Sequence, residues 1–346
     1  MTRRSFRQVE ALIRERTGLS IEHVRPQDRA RAIRQAMERA GIPDEERYVE
    51  RLRGAPARLL DLASEMSVGE TYFFRELEQL TWVMDQWLPR HLVQQKSGHV
   101  LTVWSAGCSS GEEAYTLAML LAERGLSDRA TIVGTDISEP ALARARAGRF
   151  SSWSLRATPE PARQRFFTRR GADYQLEHGL MSRVRFERQN LTDEEAPLPG
   201  TGGLFDLVLC RNVLIYLTRE AQLAVSRRLA HSLAPGGLLI VGASDPFADL
   251  PGVWQRAVGP NGVSFTRLGA VEPRSVTPPA AEARTQTAKP GPRDTHVARK
   301  RRARREGERP APAASAPTRA AADAPSGQNG RAGAIEACRA ALHERP

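Results

Sequence analysis

The chain has 346 residues, of which 40% are hydrophobic, and this is enough to build the cores of two or three domains. The net charge of +11 is concentrated in residues 1–60 and 271–346, so the middle of the chain is close to neutral. No apolar run approaches the roughly 18 residues that span a bilayer, and the charged amino terminus lacks the apolar stretch of a secretory signal. The sequence therefore predicts a cytoplasmic protein without membrane insertion.

The cysteines also exclude two classes of protein. Cys108, Cys210 and Cys338 are far apart and odd in number, so no disulfide framework can be read from them. No CxxC or CxxH spacing is present, and we expect no metal ion at the functional site. A reducing compartment fits this cysteine usage.

Residues 1–66 predict a small helical domain. Apolar residues recur at helical spacing, glycines and prolines stand at turn positions, and residues 1–60 contain 14 arginines, 9 acidic residues and no lysine. Such a basic surface suits an acidic partner. Residues 67–95 predict a linker followed by one further helix that leads into the next domain.

Residues 96–270 predict an α/β domain. Near-continuous apolar runs alternate with helical patterns, which is typical of a parallel sheet that helices cover on both faces. The predicted strands are 100–106, 130–136, 204–210 and 237–243, and the predicted helices are 111–124, 138–147 and 218–233. The alternation indicates a doubly wound sheet with ligand-binding residues at the carboxyl ends of its strands.

Two further segments depart from this alternation. Residues 149–189 are too long for an ordinary crossover and contain alternating stretches at Asp173–Leu176 and Arg183–Arg188, so an inserted small antiparallel β-subdomain is expected. Residues 271–330 are rich in Ala, Pro, Arg and Ser, and they predict a disordered basic linker. Residues 331–346 fit either a partial tetratricopeptide-like helix, which would dock a protein partner, or an unrelated amphipathic helix.

The loop after the first predicted strand contains Gly107 and Gly111, followed by Glu112 and Glu113. A phosphate-binding loop would need a lysine here, and a dinucleotide fingerprint would need GxGxxG. Because acids at this position repel phosphate, the ligand should lack phosphate and carry positive charge, as S-adenosylmethionine does. The alternative is that both glutamates only favour the first turn of a helix.

Asp136 ends the second predicted strand, where a carboxylate can accept hydrogen bonds from both hydroxyls of a ribose. The alternative is that Asp136 caps the helix that starts near Ser138. The glycine loop and this acid together favour nucleoside binding.

Other polar residues follow the remaining strands. Asn190 and Leu191 come after the insert, where an amide could read an adenine edge, and Arg211 and Asn212 follow the strand 204–210. Tyr216 comes one turn later, and periodicity alone would make it a core aromatic residue. Earlier in the chain, burial of Phe73 and Phe74 would hold Arg75 rigid beside them, ready to bind a carboxylate or to form an interdomain ion pair.

These motifs resemble, in the same order, those of the chemotaxis receptor methyltransferases (the CheR family), over roughly residues 3–268. The motifs are TYFFRE (71–76), VWSAGCSSGEEAYTLA (103–118), GTDIS (134–138), QNL (189–191), FDLVLCRNVLIYL (205–217) and LAPGGLLIVGASD (233–245). The resemblance implies a Rossmann-like S-adenosylmethionine-dependent methyltransferase sheet, an inserted small antiparallel β-subdomain and an N-terminal helical domain.

By this resemblance, one set of residues lines the S-adenosylmethionine site, and Arg75 and Tyr216 lie nearest the transferred methyl group. The set consists of Gly69, Thr71, Arg75, Gly107, Glu113, Asp136, Asn190, Leu191, Arg211 and Asn212. Gly69 departs from the family, in which many members have Asn at that position. The short hairpin region 171–184 is similar to members that do not tether a receptor peptide.

The implied reaction is methyl transfer to glutamate carboxylates of methyl-accepting chemotaxis receptors, with S-adenosylhomocysteine as the second product. The receptors' acidic helical bundles would be the partners, and the protein would work as a monomer near membrane receptor arrays, without binding nucleic acid. Two alternatives remain open: a methyltransferase with another substrate, and a non-catalytic sensor that binds S-adenosylmethionine.

Overall fold

The computed structural model describes residues 2–66, 69–193, 196, 198–200, 203–247, 250, 252–259 and 262–268, and every structural statement below concerns these residues. The predictions for 271–330 and 331–346 lie outside them. Within the described residues, no helix combines the length and apolar character needed to cross a membrane.

Four helices build the amino-terminal region, as the sequence predicts. They are α1 (Arg3–Thr17), α2 (Pro26–Ala40), α3 (Glu45–Arg53) and α4 (Pro56–Glu65). Thr2 is the N-cap of helix α1, and its hydroxyl accepts a hydrogen bond from the N–H of Ser5. Gly18 is the C-cap and has the left-handed conformation. Val9, Ile13 and Ile33 are fully buried between these helices. The apolar stripe read from the sequence is thus the packed face.

The predicted helix at 77–95 is present with a local irregularity. It consists of α5 (Leu77–Trp82), a π-helical turn (Val83–Trp87) and α6 (Leu88–Gln94). Pro89 follows the π turn and lacks the N–H that would bond to the carbonyl of Asp85, so the regular hydrogen-bond ladder cannot continue there.

The main sheet has seven strands in the order β6-β2-β1-β7-β8-β10-β9. Its strands are β1 (Leu101–Ala106), β2 (Ala130–Asp136), β6 (Val184–Arg188), β7 (Phe205–Cys210), β8 (Leu233–Val241), β9 (Trp254–Gly259) and β10 (Gly262–Arg267). Five neighbouring strands from β6 to β8 are parallel, and β10 runs antiparallel to both β8 and β9. From β1, the chain builds the sheet first towards β2 and β6 and then, on the other side, towards β7 and β8. Such a change of direction leaves a crevice at the carboxyl end of β1, where ligands bind in sheets of this kind.

Helices pack on this sheet and confirm the predicted α/β class. Those on the main sheet are α7 (Glu112–Glu123), α8 (Glu139–Ala147) and α11 (Arg219–Ser232). Two short helices, α9 (Glu160–Phe166) and α10 (His178–Met181), pack on β4 of the insert and on α7, respectively. Because successive strand residues point to opposite faces, Val103 packs into one hydrophobic core and Trp104 into the other. The second core also contains Val9, Ile13 and Leu62 from the amino-terminal helices, so the described residues form one compact unit. The separate docking role expected of residues 1–66 stays a prediction.

The inserted antiparallel β-subdomain is present but shorter than predicted. Its three strands are β3 (Arg149–Ser151), β4 (Phe167–Arg170) and β5 (Asp173–Leu176), with β5 in the middle. The assignment of Arg183–Arg188 to the insert is wrong, because Val184–Arg188 pairs in parallel with β2 as the edge strand of the main sheet. The alternation that suggested a hairpin reflects a strand with Val184 and Phe186 buried and Arg185 exposed.

Candidate functional site

A cleft of about 210 Å³ opens at the carboxyl ends of β1, β2 and β7. This volume is more than ten times the roughly 10–15 Å³ that one water molecule needs, so the cleft has the size of a ligand site. Most of the site residues inferred from the sequence line it: Gly69, Thr71, Arg75, Gly107, Glu113, Asp136, Arg211, Asn212 and Tyr216. Asn190 and Leu191 do not.

The loop after β1 is fixed by backbone hydrogen bonds to the neighbouring strand. The N–H groups of Gly107 and Cys108 both donate to the carbonyl of Thr135, at 2.7 and 2.9 Å. Gly107 has φ +77°, and a Cβ atom added there would lie 2.5 Å from Cγ2 of Val213. Glycine is therefore required at this position both for its backbone conformation and for the close approach of Val213.

Gly107→Ala is expected to destabilise the protein more than Gly125→Ala. Both glycines have positive φ, but a Cβ at Gly125 meets nothing within 4 Å. The backbone strain of about 1–2 kcal/mol is common to both variants, whereas the overlap with Val213 adds roughly 1–3 kcal/mol for Gly107 alone. Urea unfolding measures both variants, and equal losses would contradict the packing argument.

Asp136 holds the loop and also faces the cleft. Its Oδ1 accepts the N–H of Ser138 and its Oδ2 accepts the N–H of Ser109, both at 2.8 Å. Burial raises the pKa of Asp136, and the backbone hydrogen bonds oppose that shift. Ser138 is itself the N-cap of α8, because its hydroxyl accepts the N–H of Ala141. Asp136 is therefore not needed as the cap, and its partly exposed carboxylate can accept further hydrogen bonds from a ligand.

The two adjacent glutamates at the start of α7 have different environments. Glu113 lines the cleft, and its carboxylate accepts hydrogen bonds from Ser105 Oγ at 2.7 Å and Arg211 Nη1 at 3.1 Å. Glu112 is only 1% exposed, is absent from the cleft lining and accepts from Ser110 Oγ at 2.9 Å. Only one of the two acids therefore contributes charge to the cleft.

Glu112→Gln is expected to stabilise the protein at neutral pH. Burial raises the pKa of Glu112 above its ordinary 4.5, so the folded state binds the proton more tightly than the unfolded state. The unfolding free energy of the wild type should consequently fall, relative to the variant, as the pH rises above about 4.5. We expect the variant to have a higher Tm than the wild type at pH 8 and the same Tm at pH 4. A lower Tm at pH 8 would contradict this account.

Arg211 connects the segment 69–76 to the loop after β1. Its side chain is 1% exposed. Besides Glu113, it donates through Nη2 to the carbonyl of Arg75 at 2.8 Å and to Glu76 Oε2 at 3.1 Å. Since most of its donors are already used, Arg211 acts here by orienting Glu113 and the backbone of Arg75.

The residues with positive φ other than glycine are, in the described part of the chain, Phe74, Glu76, Ser109 and Asn212. Each belongs to, or directly adjoins, a segment that lines the cleft. Such conformations cost of order 1 kcal/mol or more and are found where surrounding contacts enforce them. The strained backbone of this molecule is thus concentrated around one cleft.

Asp245, four residues after the end of β8, supports this backbone and was missed by the sequence reasoning. Its carboxylate accepts the N–H groups of Asn212 at 2.5 Å, Gly242 at 2.9 Å and Ile215 at 3.2 Å. The sequence signal for Asp245 was its position shortly after a predicted strand. Ligand-site residues are expected at the carboxyl ends of parallel strands, and the same rule identified Asp136.

Arg75 and Tyr216 also line the cleft. Phe73 and Phe74 are 0% and 5% exposed, as predicted. Arg75 donates to the carbonyl of Glu70 at 2.8 Å, and its nearest recorded carboxylate is that of adjacent Glu76, at 3.9 Å. The interdomain ion pair considered for Arg75 is therefore not formed.

Tyr216 is partly exposed rather than a core residue. Its ring contacts His23, with the centroids 5.0 Å apart. The backbone around it is joined to the amino-terminal region, because the Tyr216 carbonyl accepts the N–H of Ser20 at 2.8 Å and Thr218 N–H donates to Gly18 at 2.8 Å. The helical region thus positions one side of the cleft.

The side chains of Asn190 and Leu191 are used elsewhere. Asn190 Nδ2 donates to the carbonyl of Arg16 at 2.9 Å, and its Oδ1 accepts from Thr192 Oγ1 at 2.9 Å. Leu191 is buried in the second core. The Asn190 amide satisfies the carboxyl end of α1 and does not belong to the cleft lining, so its contact with an adenine edge stays a prediction.

Comparison with known proteins agrees with this geometry. The family model described as "CheR methyltransferase, SAM binding domain" matches residues 69–262. Chemotaxis protein methyltransferase 1 of Pseudomonas aeruginosa is 34% identical over 232 residues, which cover 64% of this chain and 83% of that protein. A chemotaxis protein methyltransferase of Listeria monocytogenes is 37% identical over 191 residues, covering 55% and 70%.

A third relative gives a longer alignment. The probable biofilm formation methyltransferase WspC of Pseudomonas aeruginosa is 33% identical over 280 residues, which cover 78% of this chain and 64% of that protein. Since the family model spans more than half of the 346 residues, the chain belongs to the CheR family of methyltransferases, and its cofactor is S-adenosylmethionine.

Proposed function

We propose that this protein methylates side-chain carboxylates of glutamates in chemotaxis-type receptors and forms methyl esters. The observation that carries the proposal is the composition of a single cleft. The cleft presents the acids Glu113 and Asp136 together with Arg75 and Tyr216. The first pair suits a cationic nucleoside, and the second pair suits an incoming carboxylate.

Asp136 and Glu113 fit S-adenosylmethionine as the ligand of the cleft. Asp136 retains unused lone pairs for a ribose diol, and the carboxylate of Glu113 places negative charge where a sulfonium or ammonium group would be favoured. The loop at Gly107 supplies no lysine and few free N–H groups for phosphate, because its first two N–H groups bond to Thr135. Contact of each residue with the cofactor stays a prediction.

Arg75 and Tyr216 fit a carboxylate as the methyl acceptor. A glutamate is ionised near pH 7, since its ordinary pKa is about 4.3, so no general base has to remove a proton. Bound S-adenosylmethionine supplies an electrophilic methyl group on a sulfonium that leaves as a neutral thioether. The remaining task is alignment, which can contribute roughly 7–11 kcal/mol. We assign that task to hydrogen bonds from Arg75 and the Tyr216 hydroxyl.

Cys108 also lines the cleft but does not fit the role of a nucleophile. Burial first, and then the charges of Asp136, Glu113 and Glu112, raise the pKa of its thiol well above the ordinary value. A thiol held in the protonated form is a poor nucleophile at neutral pH. A covalent methyl-cysteine step is therefore not part of the proposal.

The arginine-rich helices support a proteinaceous acidic partner. Arginines of α1, α2 and α3 such as Arg7, Arg34 and Arg51 are exposed, and the region packs against the backbone that holds Tyr216. Complementary charge accelerates association and orients the partners. The relatives named chemotaxis methyltransferases point to chemoreceptors as that partner, whereas the longer alignment with the WspC protein favours a receptor in a biofilm-type pathway as the second candidate.

The test is the rate of S-adenosylhomocysteine formation by the full chain with cytoplasmic receptor fragments. We expect turnover with fragments that carry acceptor glutamates, and none with the same fragments after Glu→Ala replacement. Binding of the cofactor without turnover on any receptor fragment would favour the non-catalytic sensor. Turnover on small carboxylic acids alone would favour a different substrate class.

A further inference from the structure

A second cluster of chemically versatile side chains lies away from the cleft. His91 belongs to α6, His99 to the connection between α6 and β1, and Asp206 is the second residue of β7. Asp206 bonds to the N–H of Thr102, the second residue of β1. The cluster therefore lies at the amino-terminal end of β1 and β7, whereas the cleft lies at their carboxyl ends, and the proposed reaction does not use it.

The three side chains converge on a small volume. His91 Nε2 lies 2.9 Å from Asp206 Oδ1, and His99 Nε2 lies 2.9 Å from Asp206 Oδ2. One ligand atom from each residue can be chosen so that all three lie within 4.8 Å of one another. The ring of Trp87 stacks on His91 with the centroids 4.6 Å apart, which fixes that imidazole.

The carboxylate of this cluster accepts hydrogen bonds but is not neutralised by an arginine or lysine of the described residues. The Asp206 side chain is 5% exposed, and the His91 side chain is 3% exposed. The recorded partners of Asp206 are the two imidazoles and Thr102, and no arginine or lysine is among its recorded ion pairs in the described part of the chain. A buried carboxylate is normally paired with a cation or coordinates a metal.

We propose that His91, His99 and Asp206 form a binding site for a divalent transition metal ion of the zinc class. Two imidazole nitrogens and one carboxylate oxygen are ligands that Zn²⁺ prefers, and three protein ligands leave one position for water. The ion would replace the two imidazole–carboxylate contacts and the 3.3 Å contact between Gln95 Nε2 and His91 Nε2, and it would neutralise the buried carboxylate. Because Nε2 of each imidazole would bind the ion, the ring proton that Nε2 donates to Asp206 would move to Nδ1.

The three side chains would have to close around the ion. Ligand atoms around a tetrahedral zinc at about 2.0–2.1 Å are separated by roughly 3.3 Å. The two imidazole nitrogens lie 2.9 Å from different oxygens of Asp206, and the ligand atoms of the three residues lie within 4.8 Å of one another. His99 can provide this movement, because it lies in a connection between elements and its side chain is 26% exposed. The same exposure provides an entry path for the ion.

Such an ion would join α6 to strand β7 and to the connection that leads into strand β1. Because the three ligands come from separate segments, an unfolded chain would not assemble the site, and the binding free energy would add to the stability of the folded state. The sequence alone gives no sign of the site, since His91, His99 and Asp206 have no characteristic metal-binding spacing.

The test uses the full chain, freed of metal with a chelator and titrated with ZnCl2 in competition with a chromophoric chelator. We expect one tight site in the wild type and a Tm that rises with added Zn²⁺, and we expect His99→Gln to weaken that site at least 10-fold. His178→Gln is the matched control, because His178 is exposed and remote in sequence from the cluster. His99→Gln should fold, since His99 is partly exposed.

Co²⁺ provides an independent readout. Tetrahedral Co²⁺ in the wild type should give intense visible absorption bands that are lost in His99→Gln and kept in His178→Gln. Equal Zn²⁺ affinity in wild type and His99→Gln, or no stoichiometric binding by the wild type, would overturn the proposal and leave a hydrogen-bonded His–Asp–His network. The measurement involves neither S-adenosylmethionine nor receptor, so its outcome is separate from that of the proposed function.

Discussion

Asp136→Ala is expected to weaken binding of S-adenosylhomocysteine by about 100-fold or more. Hydrogen bonds to a charged group are worth roughly 1.5–3 kcal/mol each, and the ribose offers two hydroxyls. The variant also loses the acceptors for the N–H groups of Ser109 and Ser138, which position the loop after β1. Titration calorimetry measures the affinity, and thermal unfolding reports whether the variant is folded.

The matched control for Asp136 is Asp128→Ala. Asp128 precedes β2 at the opposite end, its side chain is 85% exposed, and it forms an ion pair with Arg183 at 2.7 Å. Exposed ion pairs of this kind contribute about 0–1 kcal/mol. We therefore expect wild-type affinity in the control. A folded Asp136→Ala protein that binds within about threefold of wild type would remove Asp136 from the nucleoside site.

Tyr216→Phe is expected to lower kcat on receptor fragments by about 10–100-fold, while the dissociation constant of S-adenosylhomocysteine changes by less than about twofold. The variant removes only the hydroxyl, so the ring contact with His23 is kept. If the hydroxyl aligns the acceptor carboxylate, the loss should fall on turnover and not on cofactor binding. Stopped-time assays of S-adenosylhomocysteine formation and calorimetry supply the two quantities.

Tyr174→Phe serves as the control for Tyr216→Phe. Tyr174 lies in β5 of the insert, outside the cleft lining, and its ring faces the guanidinium of Arg163 at 5.8 Å. Its hydroxyl should have no effect on turnover. A parallel loss of turnover and cofactor affinity in Tyr216→Phe would contradict the aligning role and would make Tyr216 part of the cofactor pocket.

The parts of the site that the sequence predicted are those fixed by strand position. Gly107 and Arg211 follow a buried parallel strand and Asp136 ends one, and the carboxyl ends of such strands meet at one edge of a sheet. Near-continuous apolar runs located β1, β2 and β7 because both faces of these strands are covered. Their convergence on one cleft follows from topology alone.

The parts that the sequence did not predict depend on side-chain direction and on contacts between distant segments. Glu112 and Glu113 are adjacent and chemically identical, so residue chemistry alone did not separate them and only the family resemblance selected Glu113. The helix turns Glu112 into the core and Glu113 into the cleft. The contact between Asn190 and the carbonyl of Arg16 could not be foreseen, because the two residues are 174 positions apart in the sequence. Val184–Arg188 alternates like a hairpin strand, and only its pairing with β2 reveals an edge strand of the main sheet.

The most direct test of the central claim is to identify the bond that the protein forms. Mass spectrometry of receptor fragments after incubation with the full chain and S-adenosylmethionine should find a single methyl group on glutamate side chains. Mild alkali should release that group as methanol, as it does from a methyl ester. Methyl groups that resist alkali, on lysine, arginine or another nucleophile, would contradict the account that the cleft pairs a cationic methyl donor with a carboxylate.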